Sequence, residues 1–181
     1  MKKMSTLFTL LLALALVQTQ AQRYLEEIFD EVTVTSNVQY GMNATVLAYP
    51  LLGEAIPQPL IMDVYEPTGD VETDRPVILY FHTGNFLPTP ENGSPSGLKT
   101  DSAAVELCSR FARMGYVTVS CNYRLGWNPL AETQEERVST LINAAYRGVQ
   151  DCRTAIRYFR MTEADEADPW GIDPDKIVVW G

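Results

Sequence analysis

The spacing of hydrophobic positions changes along this chain, and each change marks a different element. Leu7 to Val17 is an apolar stretch behind the basic head Met1-Lys2-Lys3-Met4. From Tyr24 to Tyr49 apolar and polar residues alternate, in EVTVTSNVQYG and ATVLAYP, which predicts a first antiparallel hairpin. LIMDVYEP, Leu60 to Pro67, repeats the alternation and closes in a Pro-Thr-Gly turn. Pro76 to Phe81 (PVILYF) is continuously apolar and rich in branched side chains, the pattern of a strand covered on both faces.

Helical spacing follows. Asp101 is placed to cap a helix running to about Met114, with Val105, Leu107, Cys108, Phe111 and Ala112 on its apolar face and Gly115 ending it. YVTVSCNY predicts another buried strand. A second long helix is expected from about Glu135 to Arg160, with Val138, Leu141, Ile142, Ala145, Val149, Cys152, Ile156 and Phe159 recurring at helical spacing. KIVVW, Lys176 to Trp180, completes the series as a third strand of fully buried character. Antiparallel strands followed by β-α-β-α-β predict an α/β fold, a mostly parallel sheet with helices on both faces.

Composition narrows the compartment and the partners. The small residues of Thr19-Gln20-Ala21 follow the apolar stretch, which is shorter than the ~20 residues of a membrane-spanning helix. Residues 1–21 therefore read as an export signal cleaved after Ala21, leaving a secreted or periplasmic domain of residues 22–181 with no membrane span. The chain has 14 Lys and Arg against 23 Asp and Glu. Loss of Lys2 and Lys3 leaves 12 against 23, a net charge of −11, which disfavours nucleic acid and anionic membrane as partners. Cys108, Cys121 and Cys152 are too few and too scattered for a disulfide framework. One bridge is compatible with export, its pairing is open, and small buried apolar residues are the plainer reading. No His, Cys, Asp or Glu grouping has ligand spacing, so neither metal nor cofactor is expected. Asn43-Ala-Thr and Asn92-Gly-Ser match the glycosylation acceptor pattern, although turn asparagines explain both.

The candidate chemistry sits at the exit of the first buried strand. His82, the only histidine, opens a loop rich in Gly, Pro, Ser and Asn from Thr83 to Thr100, and strand ends of this kind are where open α/β sheets bind ligands. A lone histidine there is more often structural than a proton carrier, since a base also needs a nucleophile and an orienting partner. Gly84 changes the reading, because glycine lets successive main-chain N–H groups turn toward one point, as a developing oxyanion requires. The acidic groups Glu132, Glu135 and Glu136 suit a solvated helix start. Glu163, Asp165, Glu166 and Asp168 suit a solvated connection.

HTGNF, His82 to Phe86, resembles the HGGGF-type oxyanion loop of α/β-hydrolase esterases and lipases. CNYRLGWNP (Cys121 to Pro129) is similar to the segment that follows the next strand in carboxylesterase-like members, with Arg124 orienting loops. GVQDCRTAIRYFR and WGIDPDKIVVWG resemble the helix and strand that lead into the nucleophile turn, and LIMDVYEP is similar to a strand of secreted feruloyl and acetylxylan esterase-like groups. The resemblance spans roughly residues 60 to 181. It implies an α/β-hydrolase fold, incomplete here, and carboxylic-ester hydrolysis, with Gly84 and Asn85 N–H as oxyanion donors, His82 as loop support and Gly181 as first glycine of G-x-S-x-G. The serine, its acid and its histidine would then lie beyond Gly181, and the 181-residue chain alone would be inactive on its small-molecule or polymer-attached ester. Thr83 and Asn85 replace two glycines of the HGGG run. A non-catalytic binding or adhesion protein on the same fold, a prolyl-peptidase-like hydrolase, and a dinucleotide-binding fold with a phosphate turn at VVWG are the alternatives.

Overall fold

A computed structural model describes residues 22–165 and 168–181; Met1 to Ala21, expected as an export signal, and Glu166 lie outside the described residues. Strands β1 (Val32–Thr45), β2 (Ile56–Pro67), β3 (Arg75–Phe81), β4 (Val117–Cys121) and β5 (Ile172–Trp180) form one mixed sheet in the order β1-β2-β4-β3-β5. The two pairings at the β1 edge are antiparallel. Those of β3 with β4 and with β5 are parallel. Two single turns, α1 (Tyr49–Leu52) and α2 (Thr89–Asn92), and two longer helices, α3 (Ser102–Arg113) and α4 (Gln134–Ala164), complete the described residues. None of these helices is long and apolar enough to cross a membrane.

Period-two alternation along each strand sends neighbouring side chains to opposite faces. On one face Leu60, Met62 and Val64 of β2, Val77 and Leu79 of β3, and Val117, Val119 and Cys121 of β4 are buried with Ala155 and Phe159 of α4. On the other, Tyr65 packs with Cys108 and Ala112 of α3, and Tyr80 joins them. The polar β4 residues on that second face are satisfied individually: Thr118 Oγ1 donates to Cys108 O at 2.7 Å and Ser120 Oγ to Lys99 O at 2.7 Å. Burial thus places a helix on each face, and the β3 and β4 exits open at the same end because the two strands run parallel.

Four sequence expectations are corrected. The alternating segment from Tyr24 to Tyr49 is no hairpin: its strand portion is the single strand β1, paired to β2. The register slips between Thr35 and Val38, where Asn37 stands at φ 60° and donates its N–H to Asp63 Oδ1 at 2.8 Å. An extra residue absorbed in this way keeps one strand continuous instead of folding it back. The residues before β1 run across the end of α3, where Tyr24 N–H donates to Met114 O and Ile28 N–H to Arg113 O.

Helix α4 extends beyond the expected 135–160; of the expected stripe Phe159 is buried and Ile156 packs against the core, whereas the earlier positions are rotated away from it. Ala144, Asp151, Ala155, Phe159 and Thr162 face inward, while Val138, Ile142 and Val149 are exposed, Ile142 by 62%. Two apolar stripes share the helix, and the one carrying small residues approaches the sheet because it allows the closer contact. The third correction concerns β5. It pairs with β3 on one side alone among the described residues, so Val178 and Trp180 remain 56% and 43% exposed where full burial was expected. In α3, likewise, Val105 is exposed, and the buried positions are Ala104, Cys108 and Ala112.

The rotation of α4 has a measurable outcome. Phe159→Ala should lower unfolding free energy by about 3–5 kcal/mol, whereas Ile142→Ser should change it by less than about 0.5 kcal/mol. Urea denaturation of both variants measures this, and similar losses would return the contact stripe to the expected face.

Candidate active site

The exits of β3 and β4 and the middle of α4 enclose a cavity of about 450 Å³. His82, Gly84, Asn85, Phe86, Tyr123, Gly148, Cys152, Trp180 and Gly181 are among its lining residues. All four residues singled out in the sequence, His82, Gly84, Asn85 and Gly181, therefore meet at one place.

The loop after β3 turns back at once. Leu87 N–H donates to Gly84 O at 2.9 Å, and the two residues between, Asn85 and Phe86, have φ of 54° and 57°. Positive φ at both central positions of a four-residue turn is the mark of type I′ geometry. Gly84 itself has φ 127°, and a Cβ on it would lie 3.1 Å from Asn92 Nδ2 and 3.2 Å from Gly97 Cα, so glycine alone fits. Asn92 fastens the far side of the loop, donating through Nδ2 to Leu87 O and Ser96 O.

The planar trans peptide converts these contacts into directions for the N–H groups. His82 Nδ1 lies 2.7 Å from Thr83 O. A carbonyl oxygen can only accept, so Nδ1 carries the hydrogen and Nε2 does not. With Thr83 O held by His82, the N–H of Gly84, on the same peptide, points the opposite way. Gly84 O is held by Leu87 N–H, which in turn directs Asn85 N–H outward from the turn. Among the described residues neither Gly84 N–H nor Asn85 N–H has an acceptor.

His82 is held from several sides. Its ring stacks on Tyr123 with centroids 4.7 Å apart at 28°, and Tyr123 Oη donates to His82 O at 2.9 Å. Burial lowers the imidazole pKa below its ordinary 6.5, and the hydrogen bond to Thr83 O only partly opposes this. Burial likewise pushes the Tyr123 hydroxyl up to about 12 and raises the Cys152 thiol. The three cysteines are unbonded. At Gly181 a Cβ would stand 2.6 Å from Phe81 O, which explains the glycine where the strand leaves the sheet.

The segment after β4 braces the turn. Gly126 N–H donates to Phe86 O and Trp127 Nε1–H to Asn85 O, both at 2.7 Å. A bulky residue at positive φ is uncommon, and each left-handed residue costs roughly 1–2 kcal/mol. Each of these two hydrogen bonds contributes about 0.5–1.5 kcal/mol. The strain of Asn85 and Phe86 and the bonds that hold it are therefore of similar size.

A BD-FAE family model matches residues 62–181, two thirds of the chain. The chain belongs to the BD-FAE family. Its fold is similar to that of an esterase from the planctomycete Thermogutta terrifontis, 23% identical over 68% of this chain and 36% of that one, TM-score 0.43. The same organism's esterase 2 phosphorylated by paraoxon is 21% identical over 83% and 43%, TM-score 0.45. A hyperthermophilic esterase from the archaeon Pyrobaculum calidifontis is 23% identical over 83% and 34%, TM-score 0.39. This chain thus spans between about a third and two fifths of the length of these structures. No curated protein sequence matches it significantly.

Several residues that organise the site of this BD-FAE chain were not singled out in the sequence. Asp151, fully buried on α4, pairs with Arg124 and accepts from Arg124 N–H and Nε–H and from Asn43 Nδ2. Arg124 reaches on to Ala44 O at the end of β1 and to Gln150 Oε1 on α4, tying the segment after β4 to that strand and that helix. Asp63 and Lys99 form a second buried ion pair at 2.6 Å, tying the end of the Thr83–Thr100 loop to β2. Asp101 stands at the start of α3, yet its carboxylate accepts from Gly97 and Leu98 N–H in place of a helix amide. A signal existed for Asp151: it stands four residues before Ala155 and eight before Phe159, on the helix face that is otherwise small or apolar.

Two outcomes follow from these contacts. Just below pH 6.5 the unfolded chain keeps the imidazole proton while the folded chain releases it, so the unfolded state binds more protons and stability falls as the pH drops. Above pH 6.5 the contribution is constant. With a single histidine in the chain, His82→Gln should flatten the stability curve below pH 6.5, by at most about 1.4 kcal/mol per pH unit; coincident wild-type and variant curves from urea titrations would refute it. Asp151→Ala leaves the Arg124 guanidinium buried without its partner and should cost about 3–5 kcal/mol in the same assay.

Proposed function

We propose that this chain is the oxyanion-hole half of an exported serine carboxylesterase that acts on a small-molecule or polymer-attached ester. The observation that carries the reading is the pair of unengaged main-chain donors, Gly84 N–H and Asn85 N–H, on a braced turn lining the same cavity as Gly181. Donors fixed in advance are worth most where negative charge develops and no water competes.

In the proposed mechanism a serine hydroxyl from a G-x-S-x-G turn opened by Gly181 attacks the ester carbonyl carbon. Its proton passes to a histidine other than His82, and the carbonyl π pair moves onto oxygen. That oxyanion receives the Gly84 and Asn85 N–H groups. Collapse expels the alcohol, which takes the proton from the histidine, and water then releases the acid from the acyl-serine by the same route. His82 suits loop support better than base work, because its Nδ1 hydrogen is committed to Thr83 O and burial weakens its basicity. Phe81, Phe86, Tyr123, Val149 and Trp180 offer apolar walls to the ester. The apolar stretch Leu7 to Val17 behind Lys2 and Lys3 supports export, and the acidic charge argues against nucleic acid.

Expressed from its full reading frame, the protein should hydrolyse p-nitrophenyl acetate, and a fluorophosphonate probe should label the second residue after Gly181. The 181-residue chain alone should do neither. In the full protein Gly84→Ala, which crowds Asn92, should lower kcat by about 10²–10³, the loss typical of one oxyanion donor. A reading frame with no serine in that turn, or a full-length protein inert toward both ester and probe, would overturn the esterase reading.

A further inference from the structure

We infer that Trp127 is a positioning residue for ester hydrolysis, its indole N–H setting the backbone of the Gly84–Leu87 turn from the next strand exit. The inference rests on the esterase reading above. Among the described residues Asn85 O is the one carbonyl of the turn held by a side chain from outside the Thr83–Thr100 loop, through Trp127 Nε1 at 2.7 Å. Capture of that oxygen fixes the Asn85–Phe86 peptide plane and with it ψ of Asn85 and φ of Phe86.

Phe86 has most to gain from a change of that plane. At φ 57° it is a bulky residue in a region such residues seldom occupy. Rotation of the plane toward negative φ would relieve it, withdraw Asn85 O from the indole and loosen the neighbouring bond from Gly126 N–H to Phe86 O. The brace is itself anchored, since Gly126 O accepts from the Arg147 guanidinium on α4. Phe86 also contributes a cavity wall, its ring edge-on to Tyr123 with centroids 6.0 Å apart. The indole hydrogen bond therefore decides how much of the time the turn holds its donor-presenting form. That fraction multiplies kcat, while the remaining apolar walls still bind the ester.

The test uses Trp127→Phe in the full-length protein, which keeps an aromatic ring and removes the donor. The expected result is kcat lower by about tenfold, KM within about twofold of wild type, a melting temperature lowered by no more than about 4 °C, and faster amide hydrogen exchange at Leu87 and Gly126, whose N–H groups bond Gly84 O and Phe86 O. Wild-type kcat in a folded Trp127→Phe protein overturns the positioning role while leaving the esterase reading intact. Absence of ester hydrolysis in the wild type defeats the esterase reading instead, and exchange at Leu87 and Gly126 then decides the inference: faster in the variant supports it, unchanged sinks it. Should the variant not fold, the wild-type indole N–H supplies the answer, for exchange at the free-solvent rate would contradict the bond to Asn85 O and protection would uphold it.

Discussion

The Asp151 carboxylate is the contact on which the arrangement at the strand ends depends. It lies wholly inside the protein and gathers Arg124 N–H, the Arg124 guanidinium and Asn43 Nδ2 around its two oxygens. An isolated carboxylate there would be costly, and an unmatched guanidinium equally so; together, with their remaining donors and acceptors satisfied, they hold three separate segments in register. Those segments are the end of β1, the exit of β4 and the middle of α4. From the β4 exit come Tyr123, which bonds His82 O, and the Gly126–Trp127 pair, which bonds the turn. The geometry of the Gly84–Leu87 turn is thus transmitted from a charge pair outside the cavity lining.

This explains how a turn with two non-glycine residues at positive φ can persist. Locally the sequence Asn-Phe prefers other conformations, and the strain is comparable to the two hydrogen bonds that oppose it. The balance is tipped by anchoring those donors in the body of the fold. Gly126 is tied through Arg147 to α4, and its neighbour Arg124 is tied to Asp151. Strain at a cavity mouth, maintained by buried structure behind it, is the usual relation between a stable scaffold and a site that must be shaped against local preference.

The strand-helix alternation from Leu60 onward was legible because burial on a sheet and burial on a helix impose different periods. The end of β3 and the glycine after it located the turn for the same reason. What the pattern could not give was the choice between two apolar stripes on α4. Both Val138-Ile142-Val149 and Ala144-Ala155-Phe159 recur at helical spacing, and only the volume available above the sheet selects the second. The long β1 strand was hidden because Met42 and Asn43, between the two alternating runs, read as the turn of a hairpin, whereas they continue β1 opposite Pro59 and Gln58. Buried ion pairs were equally obscure: Asp63 with Lys99 and Arg124 with Asp151 join residues 36 and 27 positions apart, and charge in a sequence reads first as surface. KIVVW shows the opposite limit, since an apolar run records what a strand can bury and not how many neighbours it has.

The electrostatics of the turn follow from its being built of neutral groups. A protonated His82 would add a positive charge beside Gly84, yet burial disfavours that form. Above pH 6.5 the turn therefore presents peptide dipoles alone, with the imidazole acting through its Nδ1 hydrogen on Thr83 O and not through charge. Dipoles held by a rigid frame need no reorganisation when negative charge appears beside them, and they do not attract anions when it is absent. A cation in the same place would bind any carboxylate, including the acid released by ester cleavage, and slow its departure. Keeping the only histidine neutral and turned toward the backbone thus favours a group that acquires charge over one that already carries it, which is the distinction the proposed oxyanion role requires.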